Sequence, residues 1–301
     1  MTGAGFTSRN VDIGGLRFHF ADWGGGGPPL VLLHGLSGHA RTWDHTAAAL
    51  SDRHRVLALD QRGHGDTDWA PQYGFAAMAE DLLGFLDALD LPEITLMGLS
   101  MGGLVAFVFA AAHPERVSRL LVLDIGPEIA PAGAASVAST LAANDTFRSE
   151  DEAFAQARAG NIRATDEALR HRVSHNLRPQ PDGTLTFKYD KALRNLRAIF
   201  DQSVDQLWAA WRAVSCSVLL VRGDDSDILA AQTAQRMLAE NPNASLAGIP
   251  DCGHSITLDN PQGLLDVVSP WLAAATAGRD ASGVPEPRDR GPGPRSPGLA
   301  G

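Results

Sequence analysis

The sequence predicts an α/β protein with a mostly parallel sheet and helices on both faces. Short, continuous apolar runs, typical of strands buried on both sides, alternate regularly with longer segments typical of helices. His34, Asp60, Ser100 and Asp124 stand at or near the ends of these apolar runs. Because functional groups collect at the carboxyl ends of parallel strands, this edge of the sheet is the expected site.

The predicted elements can be placed in order along the chain. A β-hairpin is indicated by alternation over residues 6–12 and 16–22 around Gly14-Gly15. The buried strands that follow are predicted at residues 30–33, 55–60, from 94 onward, 119–125, 218–223 and 244–249. Helices are predicted at residues 42–50, 75–89, from the glycines after Ser100 to 112, 230–240 and 261–275.

The alternation stops at Pro127, and this break defines the domain organisation. Residues 128–215 contain helical segments but no run typical of a buried strand, so they predict a mostly helical cap over the strand ends. Residues 1–127 and 216–275 form the predicted core. Residues 276–301 are rich in Gly, Pro, Arg and Ser and almost devoid of apolar residues, which predicts a disordered tail.

The segment Gly98-Leu99-Ser100-Met101-Gly102-Gly103 joins a predicted strand to a predicted helix. A chain that turns from strand to helix at one residue needs small neighbours, and the glycines supply them. The side chain at the apex then points out above the sheet, next to the free N–H groups of the helix N-terminus. Ser100 is therefore the candidate nucleophile.

Composition and charge limit the possible partners. The net charge of −10 disfavours nucleic acid and anionic membrane surfaces, and no apolar run is long enough to cross a bilayer. Two cysteines cannot build a disulfide framework, and the N-terminus lacks a signal-peptide pattern. We therefore expect a cytoplasmic protein that acts on a small molecule.

A nucleophilic serine needs a base, an acid that orients the base, and N–H donors for the oxyanion. His254 follows the last predicted strand, and Asp224, Asp225 and Asp227 follow the strand before it. The order along the chain is thus serine, aspartate, histidine.

These motifs together resemble the α/β-hydrolase superfamily, in particular its capped esterases, enol-lactonases and carbon–carbon bond hydrolases. The resemblance covers about residues 6–275 and rests on the following segments: Leu33-His34-Gly35, Asp60-Gln61-Arg62-Gly63-His64-Gly65-Asp66, the Ser100 turn, His113-Pro114-Glu115-Arg116-Val117 and Gly253-His254. It implies an eight-stranded, mostly parallel sheet with a helical cap inserted after the sixth strand, and a reaction without metal or organic cofactor. It also implies that the backbone N–H groups of Leu36 and Met101 form the oxyanion hole, with His34 shaping the loop.

The sequence departs from the family's pattern at the acid. The usual loop after the seventh strand carries aspartate where this chain has Ser226. A variant loop with the acid one place later favours Asp227, and Asp225 is the alternative.

The resemblance implies a serine hydrolase that cleaves a small or medium carboxylic ester or lactone through an acyl-enzyme on Ser100, Asp227 and His254. The alternatives are carbon–carbon bond hydrolysis, perhydrolysis or a lyase step on the same triad, or a ligand receptor on the same fold. Three further features are interpreted as structural. Asp60, His64 and Asp66 could together bind a metal, but turn geometry explains them. Cys252 is interpreted as a small buried residue. His171 and His175 are expected on a solvated face of the cap.

Overall fold

A computed structural model describes residues 5–279. Its central sheet has eight strands, as the resemblance implied. They are β1 (Thr7–Ile13), β2 (Leu16–Asp22), β3 (Pro29–Leu33), β4 (Arg55–Leu59), β5 (Ile94–Leu99), β6 (Val117–Leu123), β10 (Ser217–Gly223) and β11 (Ala244–Ile249). Their order is β1-β2-β4-β3-β5-β6-β10-β11, with β1 and β2 antiparallel to their neighbours and all other pairs parallel.

Helices cover both faces of this sheet, as the continuous apolar strands predicted. Side chains of β3 alternate between two apolar clusters, with Val31 and Leu33 in one and Leu30 and Leu32 in the other. The helices of the core are α1 (Asp44–Leu50), α2 (Phe75–Ala88), α3 (Met101–Ala112), α9 (Ala231–Glu240), α10 (Ile256–Asp259) and α11 (Pro261–Arg279). The α3 helix is buried along nearly its whole length, which explains its uniformly apolar sequence.

The segment between β6 and β10, which the sequence predicts to be a mostly helical cap, contains more than helices. Its helices are α4 (Pro131–Ala142), α5 (Glu150–Gly160), α6 (Asp166–Asn176), α7 (Leu196–Ile199) and α8 (Val204–Ala213). Three short strands, β7 (Thr146–Phe147), β8 (Leu177–Pro179) and β9 (Leu185–Phe187), pair antiparallel in a small separate sheet. Strands of two or three residues are too short to produce a periodic signal, so sequence patterns do not predict them.

The cap is tied to the core by buried aromatic side chains. Trp208 and Trp211 on α8 are buried in the larger apolar cluster, and the Trp211 ring meets Phe107 of α3 edge-on. Each indole also has a hydrogen-bond acceptor, because Trp208 donates to Glu128 (2.7 Å) and Trp211 donates to the Met237 carbonyl (2.8 Å). These rings therefore serve packing between this segment and the core.

The C-terminal helix passes the predicted boundary. α11 continues to Arg279, into the segment predicted to be a disordered tail, and the rest of that segment lies outside the described residues. In the part of the chain that the structure describes, no helix has both the length and the apolar character needed to cross a membrane.

Candidate active site

Ser100 sits at a sharp turn between β5 and α3. Its backbone has φ 53° and ψ −121°, a conformation rare for a residue with a side chain. The turn depends on the glycines around it: a Cβ on Gly98 would lie 2.2 Å from the Gly102 carbonyl oxygen, and one on Gly102 would lie 2.3 Å from that of Leu33. The strand–turn–helix geometry predicted from the glycine spacing is thus present.

The Ser100 hydroxyl is joined to two further side chains by hydrogen bonds. Ser100 Oγ lies 2.9 Å from His254 Nε2, and His254 Nδ1 lies 2.8 Å from Asp124 Oδ2. A carboxylate only accepts, so Nδ1 carries the hydrogen and Nε2 is free to accept from the serine. The arrangement is that of a nucleophile, a base and an acid that orients the base.

The acid in this relay is Asp124, and the prediction of Asp227 is wrong. Asp227 is exposed, and among the described residues its carboxylate has neither a hydrogen bond nor an ion pair. The alternative, Asp225, is also exposed and pairs with Arg163 at 3.1 Å. Neither carboxylate contacts His254.

Ser226 explains why Asp227 points away from the site. Its hydroxyl accepts from the N–H groups of Ile228 (3.2 Å) and Leu229 (3.1 Å), which closes a tight turn with Asp227 at its tip. Ile228 and Leu229, the two apolar residues that follow, are buried. Their burial does not draw Asp227 inward, because the turn directs the intervening side chain to solvent.

Asp124 is completely buried at the carboxyl end of β6 and has three donors. Its Oδ1 accepts from the Gly223 N–H (3.1 Å), and its Oδ2 accepts from the Ser226 hydroxyl (2.5 Å) and from His254. Ser226 thus occupies the position of the family's usual acid and donates to the carboxylate on the neighbouring strand. An aspartate ending a strand, together with serine at the usual acid position, was the sequence signal for Asp124.

Two backbone N–H groups near Ser100 have no protein acceptor among the described residues. They belong to Leu36 and Met101, the two oxyanion donors implied by the family resemblance. Met101 is the first residue of α3, so its N–H is free at the helix N-terminus. The Leu36 loop lies against the serine, since a Cβ on Gly35 would lie 3.2 Å from Ser100 Cβ.

Two buried histidines hold the loop that carries Leu36. His34 Nδ1 donates to the Gly35 carbonyl (2.8 Å) and its Nε2 accepts from the Gln61 N–H (3.1 Å). His64 likewise donates to the Arg62 carbonyl (3.0 Å) and accepts from the Ser37 N–H (3.2 Å). Each ring can make both bonds only when neutral. Burial lowers the pKa of both rings, that of His64 to about 3.

Asp60 anchors the same loop and accounts for the suspected metal set. It accepts from the Ala40 N–H (2.5 Å), the Asp66 N–H (3.0 Å) and His19 Nδ1 (2.7 Å). Burial alone would raise its pKa, but the hydrogen bonds from His19 and from the Asp66 N–H lower it to about 2. The cluster that forms differs from the set considered from the sequence, because His19 and not His64 joins Asp60 and Asp66, with ligand atoms within 4.8 Å of one another. Because the Asp60 carboxylate already has three donors, we interpret the cluster as a structural network.

Cys252 and the cap histidines can now be placed. Cys252 is fully buried, and burial raises the pKa of its thiol to about 12, which leaves no thiolate for nucleophilic chemistry. His171 Nε2 contacts Asp44 Oδ2 at 2.9 Å, and the His175 ring lies 6.5 Å from that of His39, centre to centre. These two histidines are partly exposed but also contact Asp44 and His39 of the core, so the face that carries them is not wholly solvated as predicted.

Comparison with known proteins agrees with this geometry. A family model for the alpha/beta hydrolase fold matches residues 28–261, and the chain belongs to that family. Among its relatives, a 3-hydroxybutyrate-oligomer hydrolase of Cupriavidus necator is 28% identical over 276 residues, covering 85% of this chain and 93% of the relative. A 2-(acetamidomethylene)succinate hydrolase of Mesorhizobium japonicum is 27% identical over 278 residues, covering 89% of this chain and 96% of the relative.

Solved structures give the same answer. The crystal structure of E-2-(acetamidomethylene)succinate hydrolase matches with a TM-score of 0.82 and 25% identity, covering 89% of this chain and 99% of that one. An esterase of Mycobacterium tuberculosis matches with a TM-score of 0.76 and 26% identity, covering 91% of this chain and 94% of the esterase. The chain is thus an α/β-hydrolase along nearly all of its described length.

Proposed function

We propose that the protein is a serine hydrolase that cleaves a small or medium carboxylic ester or lactone through an acyl-enzyme. The observation that carries the proposal is the continuous hydrogen-bonded relay from Ser100 through His254 to Asp124. The relatives support it, since their names describe hydrolases and an esterase. Asp124 replaces Asp227 as the proposed acid.

The first half of the reaction forms the acyl-enzyme. His254 Nε2 takes the serine proton as Ser100 Oγ attacks the substrate carbonyl carbon. The negative charge that develops on the carbonyl oxygen is stabilised by the N–H groups of Leu36 and Met101, which need no rearrangement because the protein leaves them unpaired. His254 then gives its proton to the departing alcohol, and the acyl group remains on Ser100.

The second half releases the acid by the same groups. A water molecule loses a proton to His254 and attacks the acyl carbon, and the serine oxygen leaves with that proton. Asp124 remains ionised throughout, keeping the hydrogen on Nδ1 and stabilising the charged imidazole. Its burial and three donors suit it to this role, since they fix the carboxylate in one orientation.

Labelling with a fluorophosphonate, followed by a panel of p-nitrophenyl esters of increasing acyl length, tests the proposal. The wild type should be labelled and should turn over short-chain esters, whereas Ser100→Ala should lose labelling and on the order of 10⁴-fold or more in kcat. Ser118→Ala is the matched control, because its hydroxyl donates to the Ile94 carbonyl at the opposite end of β6. Turnover by purified Ser100→Ala at the wild-type rate would refute the assignment.

The same panel separates the alternatives. A carbon–carbon bond hydrolase would prefer vinylogous diketones to aryl esters, and a ligand receptor would give one turnover with a stable bound product. The proposal also keeps the expectation of a cytoplasmic location, in agreement with the two cysteines, which are both free thiols.

A further inference from the structure

The α6 helix of the cap lies directly over the loops that carry the proposed oxyanion donor and base. Leu169 on α6 packs in one apolar cluster with Leu258, which follows His254 by four residues. Asn176 Nδ2 donates to the carbonyl of Ser37, the residue after Leu36 (3.0 Å). One face of α6 therefore spans the distance between these two loops.

Arg172 lies on that face. It is three residues after Leu169 and four before Asn176, a spacing that puts all three side chains on the same side of a helix. Its own carbonyl accepts from His39 Nε2 at 3.2 Å, which fixes this turn of α6 against the core. Arg172 thus lies on α6 between the contact with the loop of Leu36 and the contact with the loop of His254.

The Arg172 guanidinium has no hydrogen bond and no ion pair with any described residue. The carboxylate of Asp259 raises the pKa of Arg172 by its charge, but its two oxygens already accept from Asn161 Nδ2 (2.7 Å) and from the Gly253 N–H (3.0 Å). Three other arginines of this part of the cap are ion-paired: Arg158 with Asp166, Arg163 with Asp225, and Arg170 with Asp151.

The Arg172 side chain is largely enclosed by protein. The residue is only partly exposed, and burial lowers the pKa of its guanidinium, so protein surrounds the charge on most sides. A cation without a partner in such a position is costly unless a ligand supplies the missing charge. The fixed geometry of five N–H donors matches the two oxygens of a carboxylate.

We infer that Arg172 binds a free carboxylate group on the substrate, so that the enzyme prefers esters or lactones carrying a second, ionised acid group. This inference rests on the proposed hydrolase function. A carboxylate fits better than a phosphate dianion, because the neighbouring cation Arg163 is already paired with Asp225. The carboxylate would lie under α6 while Ser100 attacks the ester carbonyl.

The test compares p-nitrophenyl hemiesters of succinate, glutarate and adipate with the same compounds methylated at the free carboxyl. For at least one chain length the wild type should favour the acid over its methyl ester in kcat/KM. In Arg172→Leu this preference should fall by about 10- to 100-fold, mainly through KM, and Arg172→Lys should keep part of it. Arg170→Leu is the matched control, since Arg170 is on the same helix but pairs with the exposed Asp151; it should keep the wild-type preference.

A binding measurement separates this inference from the proposed function. Glutarate should raise the melting temperature of the wild type and of Ser100→Ala but not of Arg172→Leu. Fluorophosphonate labelling shows independently that each variant is folded and that its serine reacts. A wild type that is labelled but prefers the methyl ester at every chain length, or an unchanged preference in Arg172→Leu and Arg172→Lys, would overturn the role of Arg172. If the wild type were not labelled, the proposed hydrolase function would be refuted instead.

Discussion

Replacing Asp124 with asparagine is the most informative perturbation of the proposed site. The change keeps the size of the side chain and removes its charge, so the protein should fold. In the structure Oδ1 accepts from the Gly223 N–H, while Oδ2 faces Ser226 and His254. In Asp124→Asn the Gly223 N–H therefore selects the amide oxygen for the Oδ1 position and leaves the NH₂ group facing His254.

This orientation places a donor where His254 requires an acceptor. The imidazole can accept at Nδ1 only by moving its hydrogen to Nε2, and it then cannot take the proton of Ser100. Loss of the stabilising charge adds to the wrong tautomer. We expect kcat for a short-chain p-nitrophenyl ester to fall by about 10³- to 10⁴-fold, which corresponds to roughly 4 to 5.5 kcal/mol in the activation free energy.

Asp227→Asn and Asp225→Asn are matched controls, since both make the same chemical change at exposed positions of the adjoining loop. Each should change kcat by less than about threefold. Melting temperatures of the three variants establish that they are folded. If Asp227→Asn were crippled while Asp124→Asn kept wild-type turnover, the acid would belong to the loop after β10 and our assignment would fail.

Two more predictions follow from the same contacts. Ser226 Oγ lies 2.5 Å from Asp124 Oδ2, so an aspartate at position 226 can reach His254. The double variant Asp124→Ala/Ser226→Asp should therefore have a kcat at least about tenfold higher than that of Asp124→Ala. No gain in kcat would show that the loop after β10 cannot supply the acid. The pKa of His64 is about 3 in the folded protein and about 6.5 in the unfolded chain. Between these pH values His64 takes up a proton only when the chain unfolds, so the free energy of unfolding falls as the pH drops from 6.5 toward 3. In His64→Gln, whose side-chain oxygen can still accept from Ser37, melting temperature should depend less steeply on pH in that window; an unchanged slope would exclude His64 as its source.

The sequence by itself determined the sheet, the helices of the core and the two side chains proposed to react, Ser100 and His254. Continuous apolar strands alternating with helices require a parallel sheet covered on both faces, and the glycines around Ser100 leave one backbone path between β5 and α3. Both signals are local, because they depend on residues next to one another in the chain. The break at Pro127 marked the cap for the same reason.

Only the tertiary structure decided which carboxylate contacts His254 and left Arg172 without an ion-pair partner among the described residues. Asp124 and Asp227 lie in loops that follow neighbouring strands, β6 and β10, and either could reach His254 by its position in the chain. The choice depends on the Ser226 hydroxyl, which closes a turn that sends Asp227 to solvent and donates to Asp124. Hydrogen bonds between residues about a hundred positions apart leave no periodic trace in a single sequence. The same holds for Arg172, which has no partner in residues 5–279 only because of how α6 packs across two distant loops.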